Sequence, residues 1–219
     1  MAAEIITNSL KYRHDQLYCI VDFECCNLNL LTPQNLPWNV GIVISQGAEI
    51  KDIYNIYIKW PGGIKISAEA ARVTRYDPAV VEREGKDPLK VLKFVEQFLY
   101  DPKYRIVGYN YLQFDQYIHS IFRRNLGLTY DYSYIDRCID SFALFKAYKL
   151  GIKLQEDESF YFWTMRILAY FQRGLKSSLK QACKDLGIEA NEDQFHQGSF
   201  DCVQCFLVLR ALLKYYEIK

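Results

Sequence analysis

An apolar run near the start of the chain carries two acids spaced two residues apart. The run is Tyr18–Glu24, and its acids are Asp22 and Glu24. In a β-strand, residues i and i+2 project from the same face, so both carboxylates would leave one buried strand together. Burying two like charges is costly without a countercharge, and a divalent cation bound by oxygen ligands is the simplest solution. For this motif alone, the alternative is a strand end with solvated acids.

A third acid follows a second short strand. The segment Arg105–Asn110 is predicted to be a strand that ends in a Gly/Asn turn, and it leads into a segment with apolar residues at helical spacing: Phe114, Ile118, Ile121 and Phe122. Asp115 therefore falls in the first turn of a helix that follows a strand. An acid at this position also complements the helix dipole, which is the alternative explanation.

A histidine and a fourth acid precede the final, strongly apolar helix. They are His196 and Asp201 in the sequence HQGSFD. Asp201 is again predicted to lie in the first turn, where a dipole or capping role is the alternative. A lone histidine is more often a surface or core residue than a catalytic one. Four acids and a histidine in this order are much harder to explain as unrelated features.

Together these motifs resemble the DEDDh branch of the DnaQ-like 3′→5′ exonucleases. The family motif D-x-E matches Asp22-Phe-Glu24, and N-x-x-F-D matches 110–115 with one extra residue. The motif H-x-A-x-x-D matches 196–201, with Gly198 in place of the small Ala. The DEDDy branch is disfavoured because Gln197 stands where its Tyr would be. The resemblance extends over about 17–215 and includes 138–144, which is similar to a family segment read as I-D-T-L-A-L.

The resemblance implies an α/β, RNase H-like mixed sheet, an antiparallel meander plus parallel strands, flanked by helices. It implies a two-metal-ion exonuclease that uses Mg²⁺, with Mn²⁺ able to substitute, and releases nucleoside 5′-monophosphates from single-stranded 3′ ends. Asp22 would bridge both cations, Glu24 and Asp201 would hold the cation on the nucleophile side, and Asp115 would bind the second. His196 would be the general base.

Substrate contacts are also expected around the first two motifs. The candidate substrate-binding residues are Phe23, Cys25, Asn110, Tyr111 and Phe114. Cys25 stands where the family usually has Thr, which puts the contacts to the sugar and base in doubt. Tyr109 and Tyr111, on either side of Asn110, could stack on the terminal base or be buried against the sheet, and both alternatives stay open.

Other activities fit the same residues. An RNA-directed member, such as an oligoribonuclease or an RNA 3′-end trimmer, is one alternative, because the sequence does not locate contacts to a 2′-hydroxyl. A non-catalytic nucleic-acid-binding module is another, although retention of all five residues argues against it. The expected partner is a single-stranded DNA or RNA 3′ end. A proofreading role would require a separate polymerase or repair partner, and no oligomeric state is indicated.

The composition is compatible with each of these proposed activities but does not select among them. A net charge of +1 in 219 residues neither requires nor excludes nucleic acid. Seven cysteines and no evident signal peptide suggest an intracellular, cytoplasmic protein with reduced thiols. Cys202 and Cys205 form a C-x-x-C within an apolar helix, so we expect core packing rather than zinc binding. The apolar stretches are too short and too interrupted to span a membrane.

The chain is predicted to comprise a polar N-terminal lead-in, 1–16, and one exonuclease domain, 17–219. Turn residues and alternation predict three successive strands, 17–24, Trp38–Ser45 and Ile53–Trp60, then a short helix over Ser67–Tyr76. Asp87-Pro88 predicts the start of a further helix. The segment Gly151–Arg173 mixes aromatic residues with arginines. It could contact a single strand or form a helix that covers the core.

Overall fold

A computed structural model describes residues 13–32, 34–155 and 158–217, which form one five-stranded sheet with helices packed around it. The strands are β1 Leu17–Cys25, β2 Pro37–Gln46, β3 Glu49–Tyr57, β4 Tyr104–Gly108 and β5 Cys138–Asp140. The α-helices are α1 Ala68–Thr74, α2 Pro78–Glu84, α3 Pro88–Leu99, α4 Asp115–Asn125, α5 Ser141–Leu150, α6 Phe160–Ala169, α7 Leu179–Asp185 and α8 Gly198–Glu217. Most of the predicted lead-in, 1–12, lies outside the described residues.

The sheet combines antiparallel and parallel pairing. Its strand order is β3-β2-β1-β4-β5. The first three strands form an antiparallel meander. The strand β4 pairs in parallel with β1 on one side and with β5 on the other. The predicted mixed sheet is therefore confirmed. Asp22 and Glu24 lie near the carboxyl end of β1, and Asp115 follows the carboxyl end of the parallel strand β4, so the three acids lie at one edge of the sheet.

The third strand begins earlier than predicted. It runs over Glu49–Tyr57 rather than Ile53–Trp60. Gly47, in a left-handed conformation, closes a tight turn after β2, so pairing resumes at once between Gln46 and Glu49. At the other end the ladder stops at the pair Asn39–Tyr57.

Capping residues define the helices between β3 and β4. Asp87 accepts a hydrogen bond from the Lys90 N–H and Pro88 is the first helical residue of α3, as predicted. Ser67 caps α1, which ends sooner than the predicted Tyr76 because Arg75 adopts a left-handed conformation. The helix α2 was not predicted, although Asp77-Pro78 begins it in the same way as Asp87-Pro88 begins α3.

The last helix, α8, packs against β1 and β2. Cys202 and Cys205 are buried on it, so the prediction that they belong to the core is confirmed. All seven cysteines are buried and none forms a disulfide. Among the residues that the structure describes, no helix has the length and apolar character needed to cross a membrane.

The aromatic segment around α6 covers the core with one face. Its buried residues are Phe160, Trp163, Thr164, Ile167 and Leu168. On the other face, Phe162 is exposed and Arg166 donates two hydrogen bonds to Glu158. The helix itself therefore follows the core-covering alternative, whereas its continuation after Ala169 is exposed.

Candidate active site

The two acids of β1 lie together at the end of the strand where it meets α8. In the sheet, Asp22 lies opposite Gly41 and Glu24 lies opposite Asn39. Asp22, Glu24 and Asp201 each offer a carboxylate oxygen, and these oxygens all lie within 4.8 Å of one another. The structure therefore brings together three of the four predicted ligands, from two separate segments of the chain.

A close approach between two glycines places Asp201. The backbone at Gly198 packs directly on Gly41, and a Cβ built on Gly198 would lie 2.8 Å from the Gly41 nitrogen. Asp201 is thereby held in the first turn of α8 beside β1. One of its carboxylate oxygens, Oδ2, accepts a hydrogen bond of 3.1 Å from the His196 N–H. The other, Oδ1, is buried and has no hydrogen-bond partner among the described residues.

The fourth acid, Asp115, occupies a separate position in the same cleft. It is the first residue of α4, is only 3% exposed, and its Oδ1 accepts a hydrogen bond of 2.9 Å from the Phe23 N–H. Its oxygens do not belong to the close group formed by the other three acids. The predicted placement in a first turn is confirmed, and the carboxylate faces the site instead of solvent.

Burial makes these carboxylates hard to ionise without a cation. It raises the pKa of Asp22 to about 7, and together with the charge of Asp22 it raises the pKa of Asp201 to about 8. Burial and the neighbouring acids raise the pKa of Glu24 and of Asp115 well above the ordinary carboxyl range. A divalent cation favours the ionised forms. The hard oxygen donors and the unpartnered Asp201 Oδ1 fit such an ion.

The histidine of the third motif borders the same cleft. His196 is exposed and adopts a left-handed backbone conformation with φ +65°. Its side chain lines the cleft together with the four acids. Desolvation lowers the pKa of the His196 imidazole, and the charge of Arg75 lowers it further. The ring is therefore mostly neutral at neutral pH and can accept a proton.

The turn between β4 and α4 accommodates the extra residue of the second motif. Asn110 has a left-handed conformation with φ +67°, and its carbonyl accepts a hydrogen bond from the Phe114 N–H. Asp140, for which the sequence predicts no role, accepts hydrogen bonds of 3.0 Å from the N–H groups of Asn110 and Leu112. The same carboxylate caps α5. One buried acid thus fixes this wall of the cleft.

The cleft has a volume of about 660 Å³. Of the predicted substrate-binding residues, Phe23, Cys25, Asn110 and Phe114 line it. Tyr111 does not: it is 1% exposed, and its hydroxyl donates to the hydroxyl of Tyr134 at 3.2 Å. Stacking of Tyr111 on a terminal base is therefore wrong, because the ring is enclosed in the core.

The opposite wall of the cleft was not anticipated from the sequence. It is formed by α1, whose lining residues are Ser67, Glu69, Ala70, Val73 and Thr74. Tyr109, which the sequence did suggest as a stacking residue, also lines the cleft. The sequence predicted the helix α1 itself, but no local signal shows that it faces β1, because that placement depends on tertiary packing.

Comparison with known proteins identifies the fold. No family model and no curated relative matches the chain. A zinc-bound E. coli exonuclease I–ssDNA complex matches with a TM-score of 0.69 and 17% identity, over 94% of this chain and 42% of that chain. Exonuclease I of E. coli with a dA16 oligonucleotide matches with a TM-score of 0.69 and 16% identity, over 92% and 43%. The fold is RNase H-like.

A third structure, an exonuclease I/SSB-Ct complex, matches with a TM-score of 0.68 and 17% identity, over 93% of this chain and 44% of that chain. The chain therefore spans less than half the length of these exonuclease I chains. At this identity the likeness concerns the fold, and function has to be argued from the site.

Proposed function

We propose that this chain is a metal-dependent 3′→5′ exonuclease. It would hydrolyse phosphodiester bonds at single-stranded 3′ ends of DNA and release nucleoside 5′-monophosphates. The observation that carries this proposal is the convergence of four carboxylates, from three separate segments, with an exposed histidine on one cleft. Glu24, Asp115 and Asp201 are buried, and Asp22 is partly buried. Such buried acids destabilise a fold unless they serve a cation.

Two further observations support the reaction class. The matching exonuclease I structures include complexes with ssDNA and a product-bound form. The direction of digestion and the monophosphate product rest on the likeness of the three motifs to the DEDDh exonucleases. Within the proposed domain, 17–219, the motif residues occupy the same cleft.

The donor set indicates how cations would be held. Asp22, Glu24 and Asp201 would hold one Mg²⁺, for which Mn²⁺ could substitute, and Asp115 would share a second with Asp22. When bound, such cations stabilise charge on the phosphoryl and leaving oxygens and favour deprotonation of water.

The protein's own groups would supply orientation and proton transfer. The neutral His196 ring would accept the proton of the attacking water. The hydrogen bond from the His196 N–H to Asp201 keeps this loop beside the acids. Asn110 and Phe114 on one wall, and α1 on the other, would hold the terminal nucleotide between them.

End-labelled oligonucleotides test this proposal directly. Single-stranded DNA and RNA, labelled at the 3′ or 5′ end, would be incubated with Mg²⁺, Mn²⁺ or EDTA. We expect cation-dependent release of monophosphates, blocked by a 3′-phosphate and not by a 5′ block. Cutting of circular strands would contradict an exonuclease. Activity on RNA alone would show that the protein is an RNA-directed enzyme. Binding without hydrolysis would show that it is a non-catalytic nucleic-acid-binding module.

A further inference from the structure

The chain that follows α6 combines exposed aromatic rings with exposed cations. This segment, 170–177, has the sequence YFQRGLKS. Phe171 is 85% exposed and Tyr170 is 46% exposed. Two adjacent aromatic rings on the surface leave apolar area in water. Arg173 and Lys176 are exposed in the same segment.

The sequence that flanks this segment is basic. Between Ser159 and Lys184 the chain has five basic residues and no acid, although its overall composition is balanced at 27 basic and 26 acidic residues. Arg166 pairs with Glu158, and Lys180 pairs with Glu192. Arg173 and Lys176 form no ion pair with any residue of 13–32, 34–155 or 158–217, so their charges remain available to a ligand.

A hydrogen bond joins this segment to the wall of the cleft. The Tyr109 hydroxyl donates to the Ser177 carbonyl at 2.5 Å. Tyr109 lines the cleft that holds the acids, and its ring packs against Phe142. The carboxyl end of the 170–177 segment therefore lies beside the wall of the candidate active site.

We propose that the 170–177 segment binds the single-stranded nucleic acid that extends away from the cleft. Phe171 and Tyr170 would stack on unpaired bases, and Arg173 and Lys176 would contact the phosphates between them. Alternating rings and cations bind single strands in this way, because every base has a face for stacking and every phosphate a charge. Bases within a duplex are already stacked and would not be available. The inference rests on the proposed function for the direction of the strand.

Binding without hydrolysis tests the role of the rings. Fluorescence anisotropy with labelled oligo(dT) and oligo(U) of about 12 nucleotides, in EDTA, would compare wild type, Phe171→Ala and Phe162→Ala. Phe162 is 69% exposed on α6 and serves as the matched control. We expect Phe171→Ala to weaken binding about 5- to 150-fold, the usual effect of losing one stacked base, and Phe162→Ala to bind as wild type. Equal affinity of wild type and Phe171→Ala would overturn the proposal, as would equal losses in both variants.

Salt dependence tests the role of the cations. Replacing Arg173 and Lys176 together by Ala should reduce the slope of log affinity against log salt by about 1.4, because each phosphate contact to a single strand contributes about 0.7. Lys51→Ala is the control: Lys51 pairs with Glu49 at the far end of the sheet. An unchanged slope in the double variant would overturn the cation role.

The two proposals fail differently. Hydrolysis by wild type in Mg²⁺ tests the exonuclease alone. Weakened binding in the variants of a protein that hydrolyses nothing would support the strand-binding segment and contradict the exonuclease. Hydrolysis by wild type, with strand affinity unaffected in Phe171→Ala and in the double variant, would contradict only the strand-binding segment.

Discussion

Gly198 at the start of α8 lies directly against Gly41 of β2. A Cβ built on Gly41 would lie 2.0 Å from the Gly198 carbonyl carbon and 2.4 Å from the Ser199 nitrogen. Gly41 is also the residue opposite Asp22 in the sheet. The short distance between Asp22 and Asp201 therefore depends on the absence of a side chain at position 41.

Gly41→Ala should displace α8 and separate the acids. The added methyl group meets backbone atoms that cannot rotate away, so we expect a loss of about 1–3 kcal/mol in the free energy of unfolding, together with reduced hydrolysis. Asn55→Ala is the control, because Asn55 pairs with Gly41 from β3 and is exposed. Urea denaturation measures the effect. A Gly41→Ala protein as stable and as active as the control would show that this contact does not position Asp201.

Local patterns in the sequence account for the strands, the helix starts and the acids. The D-x-E spacing, the first-turn positions of Asp115 and Asp201, and the Asp87-Pro88 helix start depend only on neighbouring residues, and the structure reproduces them. The helix α2, which was not predicted, carries the same local signal in Asp77-Pro78.

Features that depend on distant residues could not be predicted. The enclosure of Tyr111 is set by Tyr134, which is 23 residues away in the sequence. The wall formed by α1 and the contact between Gly41 and Gly198 depend on how helices pack on the sheet. Periodicity shows which residues are apolar, but not which partners enclose them.

Asp140→Ala should disrupt the cleft wall without removing any proposed ligand. The Asp140 carboxylate accepts hydrogen bonds from the backbone N–H groups of Asn110, Leu112 and Phe142. Leaving these donors unpaired and α5 uncapped should lower the free energy of unfolding by about 2–4 kcal/mol. Activity should fall mainly through a higher KM. Exposed Asp136→Ala is the control, and equal stability of the two variants would contradict the role of Asp140.

The metal-free protein should become less stable as pH rises. The folded-state pKa is about 7 for Asp22 and about 8 for Asp201, against an ordinary value of 3.8. The folded state therefore binds more protons than the unfolded state, and stability falls with rising pH through this window. We expect Tm in EDTA to decline between about pH 5 and pH 8, and Mg²⁺ at the upper end to restore it. Asp22→Asn should flatten the decline. A Tm in EDTA that is constant or rises over this range would show that Asp22 and Asp201 are not protonated in the folded metal-free protein.

His196→Ala should slow the chemical step while leaving cation binding intact. A positioned general base contributes about 10²–10⁴-fold. Because desolvation and Arg75 lower the pKa of His196, the wild-type rate should fall only on the acid side of its ordinary value, and this limb should vanish in the variant. Single-turnover rates against pH, at saturating Mg²⁺, measure both effects. A large loss of Mg²⁺ affinity would make His196 a ligand instead.

In the proposed function, the clustered acids hold the cations on which hydrolysis depends. The most direct measurement is Mg²⁺-dependent release of 5′-monophosphates from single-stranded DNA by wild type, Asp22→Asn and Asp52→Asn, a matched change at an exposed acid on β3. We predict release by wild type and Asp52→Asn and almost none by Asp22→Asn, which should stay folded and at least as stable in EDTA. Wild-type turnover by Asp22→Asn, or no Mg²⁺- or Mn²⁺-dependent release by the wild-type protein, would contradict cation-dependent hydrolysis at these acids.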